Sequence, residues 1–240
     1  MRDTLWRVTA AIFAAALISG CASSAFRTTA EGAERPAGFP DAFYQRAAER
    51  GEPVFRIDST RSRVVIEVRR GGSLAQAGHD HVVVSHDVKG AVAPNDGRAD
   101  LYVRLDRLVV DEPEALSEAG FDTHISEAAI AGTRANMLGR VLRADEHPFV
   151  LISVGGVDAN RFVDVAITLN GVTRTTRLAA DIHMNADELG ISGVLAMAQT
   201  DFGITPLSLL AGAIQVQDGL NVRFSIQARR EAVVADRRLQ

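Results

Sequence analysis

Residues 162–171 read "FVDVAITLNG". Val163, Val165, Ile167 and Leu169 recur every second position, while Phe162, Asp164 and Thr168 fall between them. A period of two sends alternate side chains to opposite faces of a strand, so four aliphatics share one dry face and the other face meets water. Asn170-Gly171 then ends the run, and both residues accept the positive φ of a type I′ turn. The stretch therefore predicts one arm of a β-hairpin with a single buried face.

The same alternation recurs along the chain. Val64, Ile66 and Val68 oppose Glu67 and Arg69; Leu101, Val103 and Leu105 oppose Tyr102, Arg104 and Asp106; Leu220, Val222, Phe224 and Ile226 oppose Asn221, Arg223, Ser225 and Gln227. "PNDG" at 94–97 and Asp218-Gly219 are further hairpin signals. Half-buried antiparallel strands joined by short turns make a sandwich or an up-and-down barrel, and closure removes exposed edges. One interruption has helical spacing: Ile130, Met137, Leu138, Val141 and Leu142, with Ser126 as N-cap. It predicts a single amphipathic helix over Ser126–Leu142, lying across a barrel opening or flank.

The N-terminus sets the compartment. Arg2 and Arg7 precede an uncharged run, Val8 to Gly20, that is shorter than the roughly 20 apolar residues needed to span a bilayer. Residues 1–20 therefore read as a signal peptide. The run closes as "ISGC" on the only cysteine, Cys21, a match to the bacterial lipobox in which that cysteine carries the lipid. Ala22 after it, rather than Asp, favours the outer membrane, with the protein facing the periplasm. Residues 21–52 form the lipidated cysteine and a tether with a short helix at "DAFYQRAAER", residues 53–230 the β domain, and 231–240 a C-terminal tail.

Loss of residues 1–20 removes two arginines and one aspartate, moving the formal charge from −4 to −5. A mildly acidic chain without a basic cluster argues against nucleic acid as partner. No cysteine pair exists to form a disulfide within the chain, so stability must come from the core.

Four stretches, in order, resemble the YceI-like family of periplasmic, polyisoprenoid-binding β-barrels: "FRIDSTRSRVVIEV", "RANMLGRVLRADEHPFVLISV", "LNGVTRTTRLAADI" and "MAQTDFGITPLSLLAGAIQVQDGLNVRFSIQA". The resemblance covers about residues 54–229. It implies a mostly β fold, an extended antiparallel lipocalin-like barrel whose apolar interior holds an isoprenoid chain such as a quinone or polyprenol tail. Three features depart from the family pattern: "GHDH" at 78–81, the long segment "VDEPEALSEAGFDTHISEAAIAGT", and the lipoprotein anchor.

Three of the six histidines lie in "GHDHVVVSHDVKG", residues 78–90. With Val82, Val84 and Val88 facing inward, His86 does too, and Val83, Ser85 and Asp87 face water. His79 and His81 have the opposite parity, at a mouth where a bulge beside Gly78 can reset the register. Three readings stay open: hydrogen-bonded trim at the rim, contacts to a ligand head group, or a metal pair completed by His147. The ligand-site candidates are thus His79, His81, His86 and His147, together with Arg134, Asn136 and Met137 on the helix and Phe202 in "DFGI", the last also a candidate plug for one barrel end. Ser85 and Ser208 lack His–Asp partners, and neither a Gly-x-Ser-x-Gly elbow nor a phosphate loop is present. The chain thus predicts a binding protein rather than an enzyme, with a bound isoprenoid and no other cofactor.

Overall fold

The computed structural model describes residues 33–122, 124–157 and 162–231. Its strands are β1 (Phe55–Ile57), β2 (Arg63–Gly71), β3 (His81–Ser85), β4 (Val88–Ala93), β5 (Arg98–Arg104), β6 (Val109–Val110), β7 (Phe149–Val157), β8 (Phe162–Leu169), β9 (Val172–Met184), β10 (Glu188–Ala198), β11 (Ser208–Leu209) and β12 (Ile214–Arg230). Three helices accompany them: α1 (Asp41–Glu49), α2 (Pro113–Ala119) and α3 (Glu127–Asn136), the last running on into a π-helical turn at Met137–Val141.

The first six strands are three staves, each broken in the middle. β1 and β2 flank a 3-10 turn at Ser59–Arg61; β4 pairs with β1 while β3 pairs with β2; β5 pairs with β4 while β6 pairs with β3. From β7 onward each strand pairs antiparallel with the next, through to β10 and β12. The long β12 closes the ring. Its last residues pair with β1 (Arg230↔Phe55) and its middle pairs with β2 (Phe224↔Val64). The result is a closed eight-stranded antiparallel barrel, one of the two architectures the alternation allows and the one the resemblance implies.

The barrel parts in a wedge between β5 and β7. β5 pairs with β7 over Ala99–Arg104, but its continuation β6 pairs with β3 and leaves β7. Helix α3 fills the wedge. Ile130, Met137, Leu138 and Leu142 pack there against Val83, Val103, Leu105, Leu108 and Val110. Ser126 caps α3 as predicted, its Oγ accepting the Ala129 N–H.

Turn chemistry is fulfilled at two of three sites. Asn170 (φ 53°) and Gly171 (φ 74°) join β8 to β9, and Gly97 ends the 94–97 turn in the left-handed region. Asp218-Gly219 does not make a hairpin. It lies within β12, where the register against β2 slips between Val216 and Leu220 as at a β-bulge. The Asp218 carboxylate accepts the Thr200 N–H and hydroxyl, which ties β12 to the turn following β10.

The short helix expected within residues 41–50 is α1, but it is docked on the barrel rather than part of a tether, and α2 is a helix that the spacing did not predict; both pad the outside of the barrel. Within the segment assigned to the tether, Tyr44 and Ala47 of α1 are fully buried against Val54, Ala91 and Ala93. Ala115 and Leu116 of α2 cover Val65, Val82 and Val84. Pro113 at its first turn and Gly120, left-handed, just past its end set the limits of α2.

Candidate ligand cavity

The dry faces of the staves enclose a cavity of about 550 Å³. Its wall includes the four β8 aliphatics Val163, Val165, Ile167 and Leu169, the β2 set Val64, Ile66 and Val68, and Leu220, Val222, Phe224 and Ile226 of β12. Every interior residue named from the alternation of these strands is in it. The volume falls in the roughly 300–1,000 Å³ range of small-molecule sites, and the wall is apolar with few polar groups, as such sites require.

The polar lining comes from few elements. Arg70 on β2, His79, His81 and Ser85 on or beside β3, Thr133 and Asn136 on α3, Gln199 after β10 and Gln215 on β12 all reach the cavity. Arg70 is already engaged: its guanidinium donates to the Gly78 carbonyl at 2.7 Å, and its backbone N–H donates to Asp80 Oδ1 at 2.8 Å. These bonds pin the chain entering β3, so that His79 and His81 stand at the cavity with ring centroids 6.4 Å apart.

The inside–outside assignment of β3 is the reverse of the predicted one. His81, Val83 and Ser85 face the cavity, whereas Val82 and Val84 face outward beneath α2. No bulge is needed to bring His81 inside, since β2 and β3 pair without interruption from Val64↔Ser85 to Val68↔His81. His86 accordingly lies outside, about half exposed, with Nε2 3.2 Å from the Glu112 carboxylate.

The other candidates divide. Asn136 and Met137 line the cavity. Arg134 does not; its guanidinium donates to the Asp106 carbonyl at 2.6 Å. Phe202 is buried beside Leu169 and Ile204, against Val141, Leu142 and Met197, and so closes one end from behind the cavity wall. The His147 ring lies over Gly171, where an added Cβ would come within 2.8 Å of its Cε1. It does not join His79 and His81. Among the described residues no group of three or more His, Cys, Asp or Glu side chains converges as a metal site. Cys21 lies outside the described residues.

The polar lining residues Arg70, Thr133, Gln199 and Gln215 were not among the sequence candidates, and neither was a carboxylate just behind the wall. Asp111, with its side chain wholly buried, approaches His81 Nδ1 with Oδ2 at 2.7 Å and accepts the Val82 N–H on Oδ1 at 3.0 Å. Its backbone has φ 57°, a region that aspartate tolerates better than most residues. "VVDEPEA" carries no local sign of this pairing, which spans 30 positions and follows from the β3–β6 contact.

The family model of the YceI-like domain matches residues 55–228, nearly the whole barrel. This chain belongs to the YceI-like family. Among solved structures, a polyisoprenoid binding domain from Saccharophagus degradans, implicated in plant cell wall breakdown, is 12% identical, with 74% of this chain and 98% of that one covered at a TM-score of 0.52. BcnA from Burkholderia cenocepacia is 15% identical, over 71% of this chain and 98% of its own, at 0.49. No curated protein matches the chain. At such identity the first likeness speaks for the fold, and the YceI-like barrel here shares it.

Proposed function

We propose that this YceI-like protein binds or carries an isoprenoid-type lipid, a quinone or polyprenol tail lying in the barrel, and that it does so as a periplasm-facing lipoprotein held by Cys21, in the outer membrane. The carrying observation is the cavity, about 550 Å³ with a wall built from the dry faces of the strands. Each buried methylene contributes about 0.8 kcal/mol, so ~10 of them give about 8 kcal/mol, near micromolar before ordering costs. Such a cavity holds a prenyl chain with little polar help and needs no catalytic group. The Saccharophagus degradans domain, described as polyisoprenoid binding, supports the same ligand class. The "ISGC" lipobox supports the anchor.

The test is native mass spectrometry of the full-length protein purified from membranes under mild detergent, followed by solvent extraction. A co-purified prenyl lipid, retained on the intact protein and lost on denaturation, is the expected result. Preparations that neither carry such a lipid nor take up added geranylgeraniol would overturn the lipid reading.

A further inference from the structure

We infer that His81 and Asp111 form a head-group selector, which favours lipids whose polar end donates a hydrogen bond, an alcohol or a phenol, over ends that only accept one. This rests on the lipid-binding reading above and specifies which end chemistry the cavity takes.

The inference comes from how the pair is wired. Asp111 has no side-chain exposure, and Oδ1 is occupied by the Val82 N–H. Its other oxygen stands 2.7 Å from His81 Nδ1. A carboxylate accepts and does not donate, so the proton of the contact belongs on Nδ1. A neutral imidazole protonated at Nδ1 has a lone pair at Nε2. That nitrogen has no partner among the described residues, and the ring lines the cavity. The cavity is therefore offered a fixed acceptor, oriented from behind by a buried carboxylate, much as a carboxylate bonded to the far ring nitrogen fixes the tautomer of a metal-bound histidine.

An acceptor satisfies a hydroxyl and is left unpaired by an ether or an aldehyde. A buried polar group without its partner is what makes sites built for hydrogen bonding discriminate. The pair has the economy of a selector in other respects. Asp111 itself does not line the cavity, and its left-handed backbone turns the carboxylate back toward β3.

The experiment measures equilibrium binding of three probes with the same chain, geranylgeraniol, its methyl ether and geranylgeranial, to the full-length protein. Wild type should bind the alcohol about fivefold tighter than the other two, as one neutral hydrogen bond contributes. His81→Phe should equalise the three while leaving the methyl ether unchanged. Asp111→Asn is the sharper variant. Its carbonyl can still accept the Val82 N–H, and its amide nitrogen, placed where Oδ2 stood, donates to Nδ1 and forces the ring proton onto Nε2. The cavity then meets a donor, from which the alcohol, ether and aldehyde oxygens all accept, so the alcohol's advantage should disappear as the other two rise toward its affinity. A purely structural role would lower all three affinities together in both variants and would overturn the inference, as would a preference of the wild type for the ether or the aldehyde. Equal binding of all three to wild type overturns the selector and leaves the lipid reading intact. Binding of none overturns both.

Discussion

The Tyr44 hydroxyl donates to Asp100 Oδ2 at 2.7 Å, joining α1 to β5 across 56 positions of sequence in a buried contact. Asp100 also accepts from Arg98 Nε at 2.7 Å and, on Oδ1, from the Ser153 hydroxyl at 2.9 Å. Burial pushes its carboxyl up, but the donors Arg98, Tyr44 and Ser153 together outweigh burial and hold it below the usual carboxylate range. Burial, reinforced by the contact with Asp100, pushes the Tyr44 phenol far above its ordinary value. These opposite shifts make the docking of α1 dependent on pH at both extremes.

The sign of each effect follows from linkage. A lowered carboxyl contributes stability that is present above its unfolded value, roughly pH 4, and lost as pH falls through the folded one. A raised phenol contributes stability that is present below roughly pH 10 and lost as pH rises through its folded value. Protease accessibility of α1 should therefore be lowest between those limits and increase in acid and in strong base. Asp100→Asn should remove the acid step attributable to this group. An unchanged acid profile in that variant would exclude Asp100 as its origin.

Tyr44→Phe keeps the ring in its pocket and deletes only the donor. A hydrogen bond to a charged group contributes roughly 1.5–3 kcal/mol, so the urea midpoint should fall by about 1.5 kcal/mol equivalent with an unchanged slope. A variant as stable as wild type would mean that α1 is held by Ala47 and the ring alone.

How much of this was legible in the sequence depended on how many faces each strand buries. β8 and β12 read correctly because one face meets the cavity and the other meets water or polar neighbours, so alternation shows directly; in β2 Glu67 and Arg69 keep the signal although α2 covers Val65. β3 did not. Val82, Val83 and Val84 are all buried, two beneath α2 and one at the cavity, and a strand dry on both sides carries no parity signal. The inward placement of His86 failed with it, since His86 shares the parity of Val82 and Val84, whereas the candidates His79 and His81 do reach the cavity. Asp218-Gly219 misled for a different reason. A dipeptide suited to a turn also suits a bulge, and the distinction lies in a tertiary bond to Thr200.

That asymmetry is testable by charge. Val165→Asp places a carboxylate in the cavity wall and should cost several kcal/mol, while Thr168→Asp, on the opposite face of β8, should change stability little. In β3 both parities should fail: Val82→Asp and Val83→Asp should each be as damaging as Val165→Asp. Thermal melts of the four variants suffice. Tolerance at Val82 would show that α2 does not cover β3 in solution.

The anchor can be separated from the barrel. Cys21→Ser should leave the melting temperature unchanged and move the protein from the membrane pellet to the soluble periplasmic fraction. Because α1 is docked, the twenty peptide steps from Cys21 to Asp41 set the reach of any tether at no more than about 70 Å. A variant that still pellets after a salt wash would remove the lipobox reading.

Filling the cavity tests ligand binding without touching its polar end. Ile167 is partly buried, and its side chain borders both the cavity and the aliphatic cluster of Val163, Val165 and Leu178. Ile167→Trp adds volume where space exists, so the overpacking cost should stay near the low end of the usual range, about 1 kcal/mol. The lost ligand volume has no such relief. Two or three displaced methylenes at about 0.8 kcal/mol each amount to roughly 2 kcal/mol, or about thirtyfold in affinity. The loss should be equal for geranylgeraniol and its methyl ether, because the substitution leaves the head-group end of the cavity untouched. Measured by displacement of either probe, undiminished affinity in a folded Ile167→Trp variant would show that the chain does not enter the barrel past β8.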